Sequence, residues 1–264
     1  MKKILAIFLL TALSAGTVLN AQDKILKKVL ELNITGTGGA NGAAVAWHPK
    51  QKKYYAAVAG NTSFPLAVFD EKGKALSDDE LSTMFDIRGL WYNAKSGDLQ
   101  MNGYFESGWA TYVLDSKGIP TDIEIAIDEM AQPEENSIGS YSSAENLIYF
   151  LDSYGGVSKY DPTGVFKSDF TIKLGGADAS EDQENSEVSE DYNLSYVAVP
   201  KVGEIGILNE SLRQIGVYST ESGKMKHKLK LPANAPISAW MNFSYTNGMY
   251  WLFDKEDRKW IGYK

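Results

Sequence analysis

Polar and aromatic residues recur at the start of an apolar segment that this sequence repeats. Their positions are Asn41, Asp86 with Arg88, Glu135 with Asn136, Asp191 with Asn193, and Ser238 with Trp240. Three of them are carboxylates, and one carboxylate lies two positions from an arginine. Carboxylates in such a set could hold a cation or act as general acid and base on a glycosidic bond. The amide and indole groups suit ligand binding without catalysis. Either chemistry requires a fold that brings the five segments together.

Histidine chemistry finds little support in the sequence. The chain has 2 histidines and no cysteine. His48 ends an apolar segment before Pro49, and His227 lies in a lysine-rich segment that we expect to face solvent. No Gly-x-Ser-x-Gly elbow is present, so neither a serine triad nor a His/Cys metal site is predicted.

The glycine-rich run at 35–42 (TGTGGANG) resembles a dinucleotide-binding loop only superficially. Such a loop has to open a helix whose N-terminus holds the pyrophosphate. Here the next segment is short, ends at Pro49 and has the composition of a strand. The sequence therefore predicts a flexible loop, no cofactor and no metal.

The sharpest shift in composition lies at 178–191 (DASEDQENSEVSED), which is rich in Asp and Glu. Oxygen ligands suit calcium, but the spacing and the missing loop glycine do not match a helix-loop-helix calcium motif. A solvated loop is the favoured interpretation. Calcium binding stays open as the alternative.

The first 21 residues have the form of a secretory signal peptide. A short basic start, Met1 to Lys3, precedes the apolar run Ile4 to Leu13, and small residues lead to Ala21. The apolar run is shorter than the ~20 residues that span a bilayer. We expect cleavage after Ala21, a mature chain of residues 22–264, and a periplasmic or extracellular location. An uncleaved anchor is the alternative.

Charge and cysteine content narrow the class of protein further. The net charge of −8 and a pI near 4.9 argue against nucleic acid and anionic membrane surfaces as partners. Without disulfides, the core has to be held by burial and hydrogen bonding. We expect one domain, no membrane insertion after signal cleavage, and a monomer.

A four-strand unit recurs along the mature chain at intervals of about 45 residues. Each copy has an apolar strand that ends in an aromatic residue and a polar turn, followed by further strands rich in Val, Ile and aromatic residues. A tight turn with glycine follows the third strand of the first four copies, at Gly73, Gly118, Gly164 and Gly223. The acidic segment enlarges the last interval.

The fifth copy has only three strands before Lys264, and residues 24–33 (KILKKVLELN) resemble the fourth strand of the preceding copy, 224–232 (KMKHKLKLP). A strand from the start of the chain is thus predicted to complete the last sheet and close a ring. On these repeats, residues 23–264 resemble the β-propeller superfamily. The chain lacks the Trp-Asp and double-glycine signatures of named propeller repeats.

The resemblance implies an all-β, five-bladed propeller in which the inner strands begin around one end of a central channel. Five-bladed propellers include glycoside hydrolases with an acidic residue in the first blade, where this chain has Asn41 and Gly42. The leading hypothesis is therefore a non-catalytic binding module for a protein or carbohydrate partner. A glycan-active hydrolase using Asp86, Glu135 and Asp191 is the alternative, and a structural component of a surface assembly is a third. Among the aromatic residues, Trp109 and Trp240 are the better candidates for an exposed contact surface, with the core as the alternative location for any single aromatic.

Overall fold

A computed structural model of the chain describes residues 24–35, 38–39, 41–60, 62, 66–77, 85–174, 192–238 and 240–264, with the backbone alone at 192–196. The predicted signal peptide and the acidic segment 178–191, including Asp191, lie outside the described residues. Within the described ranges, no helix is long and apolar enough to cross a membrane.

Apart from a 3₁₀ turn at Phe105–Ser107, the described elements are strands. In chain order they are β1 (Lys24–Ile25), β2 (Lys28–Asn33), β3 (Asn41–His48), β4 (Lys53–Ala59), β5 (Leu66–Asp70), β6 (Ile87–Tyr92), β7 (Leu99–Gly103), β8 (Trp109–Leu114), β9 (Pro120–Ile127), β10 (Ser140–Ser142), β11 (Leu147–Leu151), β12 (Gly156–Tyr160), β13 (Phe166–Thr171), β14 (Tyr192–Lys201), β15 (Glu204–Asn209), β16 (Gln214–Ser219), β17 (Met225–Lys230), β18 (Phe243–Thr246), β19 (Met249–Asp254) and β20 (Lys259–Tyr263).

The strands form five sheets, in the orders β3-β4-β5, β6-β7-β8-β9, β10-β11-β12-β13, β14-β15-β16-β17 with β1 added outside, and β18-β19-β20-β2. All neighbouring strands pair antiparallel except β1. The first strands of the sheets contact one another in sequence, and β18 contacts β3, so the ring is closed. This arrangement is a five-bladed β-propeller, as predicted. The first blade differs from the predicted four-strand unit, because its described residues give three strands and an isolated bridge between Phe69 and Ala75.

A strand from the start of the chain closes the ring, as predicted. Strand β2 pairs antiparallel with β20, with Leu32 opposite Trp260, and forms the outer strand of the fifth blade. The short β1 instead pairs parallel with β17, with Lys24 opposite Leu229. The segment predicted as one closing strand therefore divides between the fourth and fifth blades and ties them together.

Side chains of the fifth blade also bind the backbone of the first blade. In the stretch 242–246, every second side chain accepts a hydrogen bond from a backbone N–H group of β3. The pairs are Gly42 N to Asn242 Oδ1 (2.8 Å), Val45 N to Ser244 Oγ (3.0 Å) and Trp47 N to Thr246 Oγ1 (3.2 Å). The seam between the last and first blades thus has polar contacts in addition to β2.

The predicted turn glycines follow the third strands and have positive φ, at 81° for Gly73, 72° for Gly118, 81° for Gly164 and 66° for Gly223. The side chain at the start of the turn stabilises it: Asp70 Oδ1, for example, accepts hydrogen bonds from the backbone N–H groups of Lys72 and Lys74. A Cβ at Gly73 would lie 2.4 Å from the carbonyl oxygen of Glu31 in the neighbouring blade. The glycine therefore permits both the turn and close packing between blades.

The core lies between the blades, where large aromatic side chains pack against those of the next sheet in tilted or edge-on pairs. Trp251, Trp260, Tyr55, Tyr149 and Phe150 are fully buried. Burial of this apolar surface supplies the main free energy of folding, as it must in a chain without disulfides.

Candidate functional site

The inner strands all run in the same direction, so their first residues lie at one end of the channel and their last residues at the other. We call these ends the front face and the rear face. Asn41 is the first residue of β3, and Asp86, Glu135, Asn136 and Trp240 lie in the connections that lead into inner strands. The predicted site residues that the structure describes therefore lie at the front face. Asn193 lies in β14 opposite Leu208, and its backbone alone is described.

Arg88 is the centre of one front-face group. Its Nη1 donates to Asp86 Oδ1 at 2.6 Å, and its Nε donates to Asn136 Oδ1 at 3.0 Å. The guanidinium carbon lies 4.6 Å from the centre of the Tyr104 ring, a cation–π contact. The side chain of Arg88 is only 8% exposed. Three sequence-predicted residues thus form one connected group between the second and third blades.

One oxygen of each carboxylate in this group accepts hydrogen bonds from within the fold. Asp86 Oδ1 accepts a second hydrogen bond, from the backbone N–H of Gly60 at 2.8 Å. Glu135 Oε2 accepts a hydrogen bond from the Tyr104 hydroxyl at 3.1 Å. That hydrogen bond, together with the negative charge of Glu135, raises the pKa of Tyr104. The predicted acids therefore hold loops and side chains in place.

A buried amide fixes the connection that contains Glu135 and Asn136. Asn102 Nδ2 donates to Gln132 Oε1 at 2.7 Å and to the carbonyl oxygen of Ser137 at 2.8 Å. Its Oδ1 accepts from Gly139 N at 3.1 Å. Asn102 is fully buried, so these bonds keep the connection against the second blade.

Trp240 and Asn41 belong to a second front-face group, centred on Asn242. Asn242 Nδ2 donates to the Trp240 carbonyl oxygen at 2.6 Å and lies 3.3 Å from Asn41 Oδ1. Trp240, Met241 and Asn242 have consecutive positive φ values of 60°, 58° and 55°. The indole of Trp240 is nevertheless exposed, since 66% of the residue is accessible.

Of the two candidates for an exposed contact surface, Trp109 instead lies in the core. Trp109 is 2% exposed, and its ring lies 5.5 Å from that of Trp91 and 5.8 Å from that of Phe150. It begins β8 and points between the second and third blades, where a large aromatic fills the space. Tyr104, which contacts Arg88 and Glu135, is a front-face residue that the sequence analysis did not identify.

A cavity of about 350 Å³ opens at the rear face, where no site was predicted. Every blade contributes to its lining through the last residues of an inner strand or the turn that follows. The half-buried aromatic residues among them are Trp47, Tyr92, Tyr141 and Tyr245. The aromatic residue that ends the repeated apolar strand was visible in the sequence and is the signal that could have indicated this cavity.

Among the described residues, no group of three His, Asp or Glu side chains is arranged to hold a metal ion. The polar groups of both faces are instead placed to accept or donate hydrogen bonds. Their aromatic rings can pack against a ligand, and their polar groups can exchange hydrogen bonds with it.

Together, these features define a five-bladed β-propeller with a polar front face and an aromatic cavity at the rear. No protein-family model matches the chain, and no curated protein matches its sequence. The chain is similar in structure to glutaminyl cyclase from Myxococcus xanthus, with a TM-score of 0.58 and 10% identity over 92% of this chain and 97% of that chain.

A structural genomics protein of unknown function from Bacteroides thetaiotaomicron is also similar, with a TM-score of 0.52 and 11% identity over 84% of this chain and 58% of that chain. An auxiliary nutrient binding protein from the same organism matches with a TM-score of 0.47 and 12% identity over 86% of this chain and 60% of that chain. At these identities, the two likenesses with TM-scores above 0.5 show a common fold and no more.

Proposed function

We propose that this protein is a secreted, non-catalytic binding module whose front face contacts a protein or carbohydrate partner. The observation that carries the proposal is Trp240, a large aromatic residue that is 66% exposed and held by a strained backbone. Trp residues are over-represented among the anchors of binding surfaces because they bury a large area at small entropic cost.

The backbone at Trp240 costs free energy that packing of its side chain does not return. Non-glycine residues in the left-handed region are destabilised by about 1 kcal/mol or more each. Trp240 and its two successors all occupy that region, although burial of the Trp240 indole is small. Met241 and Asn242 are buried and offset the strain at their own positions, whereas the exposed indole of Trp240 does not. Residues held in such backbone conformations cluster at sites that bind ligands or partners.

Hydrogen bonds from Asn242 hold this turn in one conformation. Its Oδ1 accepts from Gly42 N, and its Nδ2 donates to the carbonyl oxygen of Trp240. The seam with the first blade thus supports the turn, so little conformational entropy would be lost when Trp240 contacts a partner.

The described carboxylates favour binding over hydrolysis. Asp86 accepts from Arg88 and Gly60, and Glu135 accepts from Tyr104. These hydrogen bonds fix the orientation of Asp86 Oδ1 and Glu135 Oε2 within the fold, whereas a general acid or base has to face the reacting bond. The glycan-active alternative therefore gains no support from these two residues, and Asp191 lies outside the described ranges. The likeness to a glutaminyl cyclase, at 10% identity, carries the fold and no activity.

The proposal is tested by comparing the exported protein with Trp240→Ala and with Leu212→Ala. Leu212 is a matched control, because it is exposed to a similar degree, 62%, in the front-face turn between β15 and β16. Binding to a panel of insoluble polysaccharides is measured by depletion from solution. A photo-crosslinking amino acid at position 240, compared with one at 212, tests for a protein partner in the source cells.

We expect retention on a polysaccharide, or a discrete crosslinked partner, that depends on position 240 and is insensitive to position 212. Release of reducing sugar from any of these polysaccharides would contradict a non-catalytic role. Equal behaviour of the two variants in every assay would remove Trp240 as the anchor and with it the proposed function.

A further inference from the structure

We propose that the rear-face cavity is a binding site for a neutral pyranose sugar. The cavity lies at the opposite end of the channel from Trp240, so this inference does not depend on the function proposed for the front face. Its volume of about 350 Å³ is at the small end of the range for ligand pockets, which suits one or two sugar rings. All five blades contribute residues to its lining.

The aromatic walls of the cavity are held rigid by a second layer of rings. The ring of Trp47 lies 4.5 Å from that of Tyr54, and the ring of Tyr245 lies 4.8 Å from that of Tyr250. On the second blade, the ring of Tyr92 lies 4.4 Å from that of His48. These distances are typical of packed aromatic pairs. Each wall is therefore in place before a ligand arrives.

The fourth wall, Tyr141, is fixed by hydrogen bonds. Its hydroxyl oxygen lies 3.0 Å from Asn146 Oδ1 and 3.2 Å from Asn93 Oδ1, one of which accepts its proton. The ring can therefore neither swing into the cavity nor leave it. Preorganised walls lower the entropic cost of binding. This matters for a small ligand, because it makes few contacts that could offset that cost.

Neutral polar groups lie between these rings. Thr246 Oγ1 accepts from Trp47 N, which leaves the hydroxyl proton of Thr246 to donate. Asn247 Nδ2 donates to the Tyr54 hydroxyl, which leaves Asn247 Oδ1 to accept. The Ser143 hydroxyl, also in the lining, has no hydrogen-bond partner among the described residues. A pyranose ring matches this pattern, because its C–H faces are apolar and its hydroxyl edge both donates and accepts.

The charges around the cavity argue against a cationic ligand, which aromatic walls can also bind. None of the lining residues is charged. Lys50, Lys95 and Lys201 directly follow the lining residues Pro49, Ala94 and Pro200. Burial lowers the pKa of His48, behind Tyr92, and the positive charge of Lys50 lowers it further. Lys201 is paired with Glu204 at 3.2 Å. The lining itself offers no carboxylate to pair with an ammonium group.

The experiment uses the exported protein and a panel of methyl pyranosides of glucose, galactose, mannose, xylose and N-acetylglucosamine, with choline as a cationic comparison. Binding is measured by saturation-transfer NMR and by calorimetry. Ser143→Trp places a large side chain at an exposed position of the lining. Ala144→Trp is the matched control, because residue 144 is the exposed neighbour in the same turn and does not line the cavity.

We expect at least one pyranoside to bind, Ser143→Trp to weaken that binding at least about tenfold, and Ala144→Trp to leave it within about twofold. Melting curves of both variants verify that they fold. The inference is overturned if no pyranoside binds, if only choline binds, or if Ser143→Trp has no effect. Trp240→Ala should not change this affinity. If it abolished sugar binding, the rear-face site would be lost and the front-face proposal would be strengthened.

Discussion

The closing strand makes a quantitative prediction about stability through Leu32. This side chain is fully buried in β2, among Trp251, Phe253 and Trp260 of the fifth blade and residues of the first blade. Replacing a buried Leu with Ala costs about 2–5 kcal/mol, and more where the surroundings cannot collapse into the cavity. Three large rings surround this site, so we expect a loss of about 3–5 kcal/mol in the free energy of unfolding for Leu32→Ala.

Urea unfolding monitored by tryptophan fluorescence measures this loss. The slope of the free energy of unfolding against urea concentration should stay the same as in the wild type. At about 2–4 °C per kcal/mol for a domain of this size, the melting temperature should fall by about 6–20 °C. Val29→Ala is the control, because Val29 lies in the same strand and is 52% exposed, and it should cost less than about 1 kcal/mol. If the two variants lost equal stability, the packing of β2 into the ring would be refuted.

Three further predictions concern the sites and their supports. Asn102→Ala leaves Gly139 N and its other buried partners without a hydrogen bond, at about 1–3 kcal/mol each, so urea unfolding should show a loss above about 2 kcal/mol; a smaller loss would mean that this network contributes little. The neutral His48 accepts a hydrogen bond from Gln51 N, and burial lowers its pKa from 6.5. Its contribution is therefore present above pH 6.5 and is lost as the pH falls below that value, so His48→Gln should reduce the difference in melting temperature between about pH 7.5 and 5; an unchanged difference would contradict the shift. Trp240→Gly relieves the positive φ, so its melting temperature should equal or exceed that of the wild type while partner binding falls; a marked drop would show that Trp240 stabilises the fold.

The architecture could be predicted because its signals are local and repeated. Glycines at Gly73, Gly118, Gly164 and Gly223 mark the same turn in four copies, and a positive φ there is a requirement of the backbone itself. The missing fourth strand of the last copy indicated closure by the start of the chain. The parallel pairing of Lys24–Ile25 with β17 was not predicted, because a two-residue strand is too short to show an alternation of apolar and polar residues.

The sites were harder to predict, because exposure depends on neighbouring blades that the sequence of one blade does not encode. Trp109 and Trp240 have similar local sequence contexts, yet Trp109 is buried between two sheets and Trp240 is exposed. The partners of Asp86 and Glu135 come from other loops. The rear cavity requires the ends of five strands from distant parts of the chain, and their spacing across the channel is a property of the closed ring.

The seam between the last and first blades also dictates an order of events during folding. Gly42 and its acceptor Asn242 are 200 residues apart, and β2 needs β20 as its partner. Contacts so distant in sequence form slowly, because the loop entropy is lost before the contacts form. The middle blades can therefore assemble from neighbouring strands while β2 stays unpaired, and the ring locks only when residues 259–263 become available. Until then, the edges of the first and fifth blades are open to pairing with another chain, so the interval before closure is when a chaperone would matter most.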